Sequence, residues 1–353
     1  MGELPEQMLA AVYRAPGEIS VEQVPVPRPG PGQVVVEVGH CGVCGSDLHL
    51  MVEGWGERDT VLGHEFSGTI AATGPDSGPW RVGDRVVGGP SPRCGTCRRC
   101  REGRPSQCER RGEIAGGHGG GAFARYTLLD ARSLVAVPDG MDPRVAALAE
   151  PLAVALHGIT RAQLAPEDSV MVFGAGPIGA LSIAALAASE AGPITVVEPN
   201  PRRRALAGAL GAHEVLGPEA LEVFPPWEPE RLSPRAVDAV LECSGKRAAM
   251  EAGFHQLNRG GRLVLVGAGM EAPSFDPNRL LLNELVVCGS FVYDVDGFDR
   301  AMALLAGGRI PAATLIEPAD VGLDGLAGAL SALATGELAG KVMVVPELLG
   351  AGS

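Results

Sequence analysis

The sequence predicts an α/β protein that combines a small antiparallel β barrel with a doubly wound parallel sheet. Short β-branched runs separated by Gly and Pro fill the first third of the chain, and strands alternate with Ala-rich helices from about Glu150 onward. The first pattern is typical of a small barrel, and the second indicates a parallel sheet with right-handed crossovers. A chain of 353 residues is long enough for two domains.

The individual elements follow from these runs. The first part contains three predicted strands: Val34–Val38, Gly68–Ala72 and Asp84–Val87. The second part contains predicted strands at Ser169–Phe173, Ile194–Glu198, Val237–Cys243, Arg262–Val266 and Glu284–Gly289, with helices starting at Pro177, Arg202 and Arg247. A helix over Gly297–Leu305 and a strand over Lys341–Val345 follow, and the Pro-rich stretch Phe224–Pro234 predicts a loop.

Charge and cysteine usage exclude several classes of protein. The 42 acidic residues outnumber the 29 basic ones and give a net charge of -13, which repels phosphate backbones and anionic lipid. Neither an export signal nor a membrane-spanning run is visible, and eight cysteines in a chain of this length do not resemble a secreted disulfide framework. We expect a cytoplasmic protein that acts on a small molecule, without a nucleic-acid or membrane partner.

A glycine-rich turn predicts a dinucleotide site. Gly174, Gly176 and Gly179 directly follow an apolar strand and open an Ala-rich helix. They would permit the tight turn, the approach of a pyrophosphate to the backbone, and the packing of helix on strand. Glu198, at the end of the next strand, favours NAD because a carboxylate binds both ribose hydroxyls. Arg202–Arg204 follow at once and keep NADP open as the less favoured cofactor.

Four cysteines predict a structural zinc site. Their spacing is C-x2-C-x2-C-x7-C, at Cys94, Cys97, Cys100 and Cys108. Four thiolates close a tetrahedron around zinc and leave no open position for chemistry. Unliganded thiols are the weaker interpretation, because the loop has almost no apolar residues to bury them. The arginines around the loop also permit a nucleic-acid-binding zinc knuckle, but the lobe has no aromatic residue for base stacking.

A second, dispersed set predicts a zinc ion with an open coordination position. Cys44, His64 and a carboxylate from Glu65 or Glu150 would neutralise the dication. A second anionic ligand would weaken the Lewis acidity of the metal, so we expect one carboxylate in direct contact at a time, with the other bridged by water or exchanging. Cys41 forms C-x-x-C with Cys44, a possible redox pair, but we interpret it as a small core residue.

These motifs together resemble a known family. Gly42–Asp47, Gly63–Glu65, the four cysteines, Glu150–Leu152 and Gly174–Gly179 are similar, in the same order, to motifs of the zinc-dependent medium-chain alcohol dehydrogenases, nearest the sorbitol and threonine dehydrogenase branch. The resemblance implies a GroES-like catalytic domain made from residues 1–150 and 293–353, and a Rossmann domain made from residues 151–292. It also implies a homodimer or a homotetramer.

The resemblance implies roles for individual residues. Cys44, His64 and Glu65 match the catalytic zinc ligands, and Glu150 matches the alternative or water-bridged carboxylate. Asp47 matches the acid that orients the zinc histidine, and Ser46 and His49 match the proton relay. The predicted cofactor residues are Gly174, Gly176, Pro177, Ile178, Gly179, Glu198, Arg203, Val266, Ser290, Phe291 and Val292. The segment Gly120–Tyr126 departs from the family pattern, which affects loop geometry and substrate shape rather than chemistry.

The predicted function is hydride transfer between a secondary alcohol and NAD, which gives a ketone. Polyols, cyclitols and amino alcohols are the substrates expected, with two zinc ions per subunit, one catalytic and one structural. Two alternatives stay open. One is a zinc-independent quinone or enoyl reductase of the same fold, and the other is a non-catalytic module that binds NAD or nucleic acid.

Overall fold

The computed structural model describes residues 4–52, 54–89, 93–110, 120–189 and 191–348. The chain divides into two compact units. The first unit takes residues 1–150, 294–308 and 316–353, and the second takes residues 151–293 and 309–315. The domain boundaries given by the sequence stay a prediction. Within the described ranges, no helix is long and apolar enough to cross a membrane.

The elements run in this order along the chain. Those up to residue 146 are β1 (Gln7–Ala15), β2 (Glu18–Pro25), β3 (Gln33–Gly42), α1 (Gly45–Val52), β4 (Thr60–Val61), β5 (Glu65–Thr73), β6 (Arg85–Gly88), α2 (Arg98–Arg101), β7 (Tyr126–Asp130), β8 (Leu134–Ala136) and α3 (Pro143–Ala146). The later ones are α4 (Ala149–Ala162), β9 (Val170–Phe173), α5 (Pro177–Ala188), β10 (Ile194–Val197), α6 (Pro201–Ala209), β11 (Glu214–Leu216), β12 (Val237–Glu242), α7 (Arg247–His255), β13 (Leu257–Leu265), α8 (Pro277–Leu282), β14 (Val286–Gly289), α9 (Gly297–Ala306), α10 (Ala312–Leu315), α11 (Leu326–Thr335) and β15 (Met343–Val344).

Antiparallel sheets form the first unit, as the β-branched runs predict. The larger sheet has the order β15-β3-β5-β6-β8, with β7 also paired to β3, and a smaller sheet has the order β2-β1-β4. Strand β3 is buried on both faces: Val34 and Val36 pack in one core cluster and Val35 in another. Burial on both faces explains why its run is continuously apolar rather than alternating. The C-terminal strand β15 pairs with the end of β3 at Cys41 and Gly42.

A parallel sheet forms the second unit. Its order is β11-β10-β9-β12-β13-β14, so the chain runs outward from β9 on one side and then returns to start the other side at β12. The predicted strands and helices are confirmed, with small shifts at most of their ends, but β13 begins at Leu257, five residues before the predicted start at Arg262. The strand predicted from Glu284 was two residues too long, because Glu284 has a left-handed backbone with φ of 51° and β14 begins at Val286. Ligands of such sheets bind beyond the carboxyl ends of the strands, near the reversal of strand order.

A buried arginine anchors the Pro-rich stretch. Residues 224–234, all within the described part, contain neither helix nor strand, so the predicted loop is confirmed. Arg279 on α8 is 1% exposed. Its guanidinium donates to the backbone carbonyls of Arg231 at 2.6 Å, His255 at 2.9 Å and Pro229 at 3.3 Å. These hydrogen bonds offset part of the cost of burying the guanidinium, and they fix a loop that lacks regular structure.

The substitution Arg279→Met tests this anchor. It should lower the free energy of unfolding of the second unit by about 3 kcal/mol, because three carbonyls lose a charged donor. Urea unfolding and limited proteolysis of the loop measure the effect. Arg247→Met is the matched control: it removes an exposed ion pair with Glu251 and should change stability by less than about 0.5 kcal/mol. Equal stability of the two variants would contradict the assignment.

Candidate functional site

Three donor side chains from separate parts of the sequence meet in the first unit. Cys44 lies between β3 and α1, His64 directly precedes β5, and Glu65 is the first residue of β5. One ligand atom from each side chain lies within 4.8 Å of the others. A thiol, an imidazole and a carboxylate at this separation could hold a metal ion, and all three are donor types that zinc accepts. The set that the sequence proposed is therefore assembled by the fold.

Asp47 and Ser46, both on α1, surround the imidazole of His64. The Nδ1 atom of His64 lies 3.6 Å from Oδ1 of Asp47, and its Nε2 atom lies 3.2 Å from Oγ of Ser46. The other oxygen of Asp47 accepts a hydrogen bond of 3.0 Å from the backbone N–H of Cys44. Burial lowers the pKa of His64, but the Asp47 carboxylate outweighs it and holds that pKa well above the ordinary value. Asp47 thus ties the histidine to the backbone of the cysteine.

A lysine that sequence reasoning missed completes the cluster. The Nζ atom of Lys341 lies 2.8 Å from Oε1 and 2.6 Å from Oε2 of Glu65, and both residues are buried. Burial lowers the pKa of Lys341, but the charge of Glu65 more than compensates and raises it above the usual range. The available signal was a single lysine at the start of an apolar C-terminal strand, and its partner lies 276 positions away in the sequence.

Glu150 is the second carboxylate that the sequence proposed. It lies in the first turn of α4 and is buried, but it is not part of the three-residue group defined by the 4.8 Å separation, among the residues that the structure describes. Burial raises the pKa of Glu150 to about 7, with His64 lowering it and Glu65 raising it through their charges. Glu150 therefore shares the electrostatic environment of the cluster.

The donor set fits a zinc ion. Sulfur, nitrogen and oxygen donors suit zinc, and three protein ligands leave a position for a substrate. Cys44, His64 and Glu65 would hold the ion.

The second relay residue lies further along the same helix. His49 is three positions beyond Ser46 on α1, so both can face one side of the helix. Its ring stacks on the indole of Trp55 with 5.5 Å between centroids and an angle of 21° between planes. Trp55 is 47% exposed, so its ring is not part of the barrel core. Cys41, in contrast, is completely buried in the core, as predicted.

The four cysteines of the loop form a second cluster in the first unit. Ligand atoms of Cys94, Cys97, Cys100 and Cys108 all lie within 4.8 Å of one another. Backbone N–H groups point at the sulfurs: Cys97 donates to Cys94 at 3.3 Å and Cys100 donates to Cys97 at 3.5 Å. Hydrogen bonds from Thr96 and Cys97 lower the pKa of Cys94 to about 6. Donors of this kind stabilise thiolates, the form that binds zinc.

The glycine turn in the second unit has the geometry of a dinucleotide site. Gly174 has a φ of 86° directly after β9, and a Cβ on Gly179 would lie 1.9 Å from the carbonyl oxygen of Gly174. Position 174 therefore requires glycine because its backbone is left-handed, and position 179 requires glycine because a side chain would collide with the turn. A Cβ on Gly176 would meet only Nη1 of Arg203, at 4.0 Å, among the described residues. Gly176 leaves open space at the N-terminus of α5, where an approaching phosphate would fit.

Other predicted cofactor residues lie beyond the carboxyl ends of the strands. Glu198 follows β10, Val266 follows β13, and Ser290–Val292 follow β14. Val292 has a left-handed backbone with φ of 46°, which is strained for a β-branched residue. Strain of this kind clusters at functional sites. Pro177 and Ile178 form the first turn of α5, and Phe291 is partly exposed.

Comparisons with known proteins match two family models to this chain. Residues 30–139 match the alcohol dehydrogenase GroES-like domain, and residues 177–307 match the zinc-binding dehydrogenase domain. The chain belongs to the zinc-type medium-chain alcohol dehydrogenases. This confirms the family and the GroES-like and Rossmann folds that the motifs predicted.

Relatives of this alcohol dehydrogenase cover almost its whole length. A sorbitol dehydrogenase of Bacillus subtilis is 33% identical over 89% of this chain and 90% of its own. A Sinorhizobium meliloti zinc-binding dehydrogenase structure bound to NADP is 30% identical with a TM-score of 0.85, and covers 97% of this chain and 100% of its own. Acetophenone reductase of Geotrichum candidum, in complex with NAD, is 25% identical with a TM-score of 0.86, and 98% of each chain is covered.

The four-cysteine cluster of the dehydrogenase gives a direct prediction. Cys97→Ala should lower the zinc content by one ion per chain and make the loop sensitive to protease, because three thiolates cannot close the tetrahedron. Metal analysis of the purified variant measures the change. Cys288→Ala, which alters a cysteine of β14 outside both clusters, should keep the parent zinc content. An unchanged zinc content in Cys97→Ala would show that the loop holds no metal.

The environment of His64 predicts how metal binding depends on pH. The imidazole must be neutral to bind a metal, and Asp47 keeps its pKa well above 6.5 despite burial. Protons therefore compete with zinc below that raised pKa, so the zinc affinity should fall as the pH drops. Competition with a chelator measures it. Asp47→Asn should weaken the pH dependence, and an equal dependence in both proteins would rule out the role of Asp47.

Proposed function

We propose that the protein oxidises a secondary alcohol to a ketone, with zinc at Cys44, His64 and Glu65 and with NAD as the hydride acceptor. The observation that carries this proposal is the sulfur, nitrogen and oxygen cluster within 4.8 Å. It occurs in a chain whose other unit bears a glycine turn open to a phosphate at Gly176. Glu150 is proposed as the alternative or water-bridged carboxylate, and the four-cysteine cluster as the site of a second, structural zinc ion.

Residues of this chain accept the proton of the substrate hydroxyl and carry it toward solvent. Zinc supplies the Lewis acidity that lowers the pKa of a substrate hydroxyl, and the nicotinamide ring accepts the hydride. Oγ of Ser46 lies 3.2 Å from Nε2 of His64, beside the donor atoms, where it can accept the proton that the hydroxyl loses. His49, one helical turn further along α1, passes that proton toward solvent. Stacking on Trp55 fixes the orientation of the His49 ring.

Glu198 supports NAD in preference to NADP. Its side chain is 3% exposed, and its two oxygens accept hydrogen bonds from the backbone N–H groups of Ala175 at 2.7 Å and Asn200 at 2.8 Å. The carboxylate is thereby fixed next to the glycine turn, where it accepts ribose hydroxyls and repels a 2'-phosphate. Arg202–Arg204 follow at the start of α6. Because one structural relative binds NADP and another binds NAD, both cofactors belong in the test.

Polyols, cyclitols and amino alcohols are the proposed substrates. A polar relay at Ser46 and His49 suits hydroxyl-rich substrates better than long apolar alcohols, and the similarity to a sorbitol dehydrogenase points the same way. A zinc-independent reductase would not need Cys44, His64 and Glu65 together. A nucleic-acid-binding role is disfavoured by the net charge of -13.

The acidic composition and the cysteine pattern support a cytoplasmic location. The proposed assembly is a homo-oligomer. Strand β14 lies at one end of the parallel sheet of the second unit. Edge strands offer unpaired backbone groups to a second copy of the same chain.

Cys44→Ser tests the proposal together with a substrate panel. The parent should contain two zinc ions and reduce NAD faster than NADP with polyols, cyclitols or amino alcohols. The variant should lose the zinc of the Cys44 set and at least about 10³-fold in kcat, while its NAD affinity measured by fluorescence titration stays within about twofold. Cys288→Ala is the control with parent activity. Full turnover by Cys44→Ser, or a parent that oxidises no alcohol of the panel, would contradict the proposal.

A further inference from the structure

Lys341 is a buried ammonium group next to the proposed zinc ligands. Its side chain is 2% exposed. It donates to Oε1 of Glu65 at 2.8 Å and to the backbone carbonyl of Val43 at 3.1 Å. A charge removed from water in this way is stable only when it is paired and hydrogen-bonded. Val43 directly precedes the ligand Cys44, so Lys341 contacts the chain at two points of the donor set.

The composition of the chain sets this residue apart. Of the 29 basic residues only two are lysines, Lys341 and Lys246. Arginine supplies nearly every other positive charge. A compact ammonium is distinct from a guanidinium because it is a point charge that fits a small space. The space is small here: a Cβ on Gly42 would lie 2.4 Å from Oε2 of Glu65 and 3.2 Å from Cδ of Lys341.

Glu65 contacts this ammonium and is also a member of the proposed donor set. Nζ of Lys341 lies 2.8 Å from Oε1 and 2.6 Å from Oε2, so the ammonium contacts both oxygens of the carboxylate. The same carboxylate belongs to the group whose ligand atoms lie within 4.8 Å of one another. The ammonium and a metal cation therefore compete for one carboxylate.

The charges of the cluster indicate how Lys341 affects the strength of Glu65 as a metal ligand. Cys44 as thiolate, with Glu65, Glu150 and Asp47 as carboxylates, carries up to four negative charges, and the dication offsets two of them. Lys341 places a further positive charge directly on the Glu65 carboxylate. Without it, Glu65 would donate more strongly to the metal and weaken its Lewis acidity.

We propose that Lys341 is a positioning residue that keeps Glu65 a weak, exchangeable metal ligand by holding an ammonium group on its carboxylate. This inference rests on the proposed function, because it requires a metal at Cys44, His64 and Glu65. It assigns the C-terminal part of the chain a role in setting the ligands of the ion. Lys341 itself touches neither substrate nor cofactor in this role.

The test compares the parent with Lys341→Met, which keeps the length of the side chain and removes its charge. Zinc affinity is measured by competition with a chelator, and the ligand set by the visible absorption of the Co²⁺-substituted protein. Lys341→Met should bind zinc at least about tenfold more tightly, since a like charge near the cation is gone. Its Co²⁺ absorption should shift, because Glu65 becomes a stronger ligand. The four-cysteine cluster is present in both proteins and cancels in the comparison.

Two controls distinguish an effect of Lys341 on the Glu65 carboxylate from a general change in packing. Lys246→Met removes the other lysine, which is exposed in the second unit, and should leave both measurements at parent values. In a Glu65→Gln background, Lys341→Met should no longer shift the Co²⁺ absorption, because the carboxylate through which it acts is absent. Lys341→Gln, which keeps a hydrogen-bond donor, should repeat the tighter zinc binding and stands in if the methionine variant does not fold.

The outcomes are distinguishable. Unchanged zinc affinity and Co²⁺ absorption in the folded Lys341 variants, or the same absorption shift with and without Glu65, would overturn the inference and leave the dehydrogenase proposal standing. A parent that binds no metal at the Cys44 set would overturn both.

Discussion

A buried charge balance governs the first unit. Glu65, Asp47, Glu150 and Lys341 are all removed from water, and a single one of these charges without a partner would destabilise the fold strongly. They tolerate burial because each faces an opposite charge, a backbone donor or a metal position. Lys341 joins the C-terminal segment to the donor set at Glu65, which lies 276 positions away in the sequence.

The other two sites obey simpler constraints. The four-cysteine cluster is held by a short segment and by N–H donors within it, such as those from Cys97 and Cys100 to sulfur. The dinucleotide turn depends on the backbone, since the contact at Gly179 admits no side chain and Gly174 needs a left-handed conformation.

How much of the structure the sequence predicts depends on how far apart the interacting residues lie along the chain. The four cysteines and the glycine turn have spacings that indicate their chemistry, whereas Cys44 and His64 are indicated by their residue types and by the family resemblance. The alternation of strands and helices indicates the parallel sheet. The Lys341–Glu65 pair lies beyond this range, because no spacing rule connects residues 276 positions apart. Arg279 was missed for the same reason: its acceptors are carbonyls, which every residue carries. Residue propensity alone extends a strand from Glu284, but the left-handed backbone at this residue makes β14 begin at Val286.

The central claim is that a metal ion lies among Cys44, His64 and Glu65. Diffraction from crystals of the zinc-loaded protein at energies on either side of the zinc absorption edge tests it most directly. The account predicts two anomalous peaks per chain, one among the four cysteines of the loop and one within bonding distance of the Cys44 sulfur and the His64 imidazole. A peak among the four cysteines alone, at full zinc loading, would contradict it.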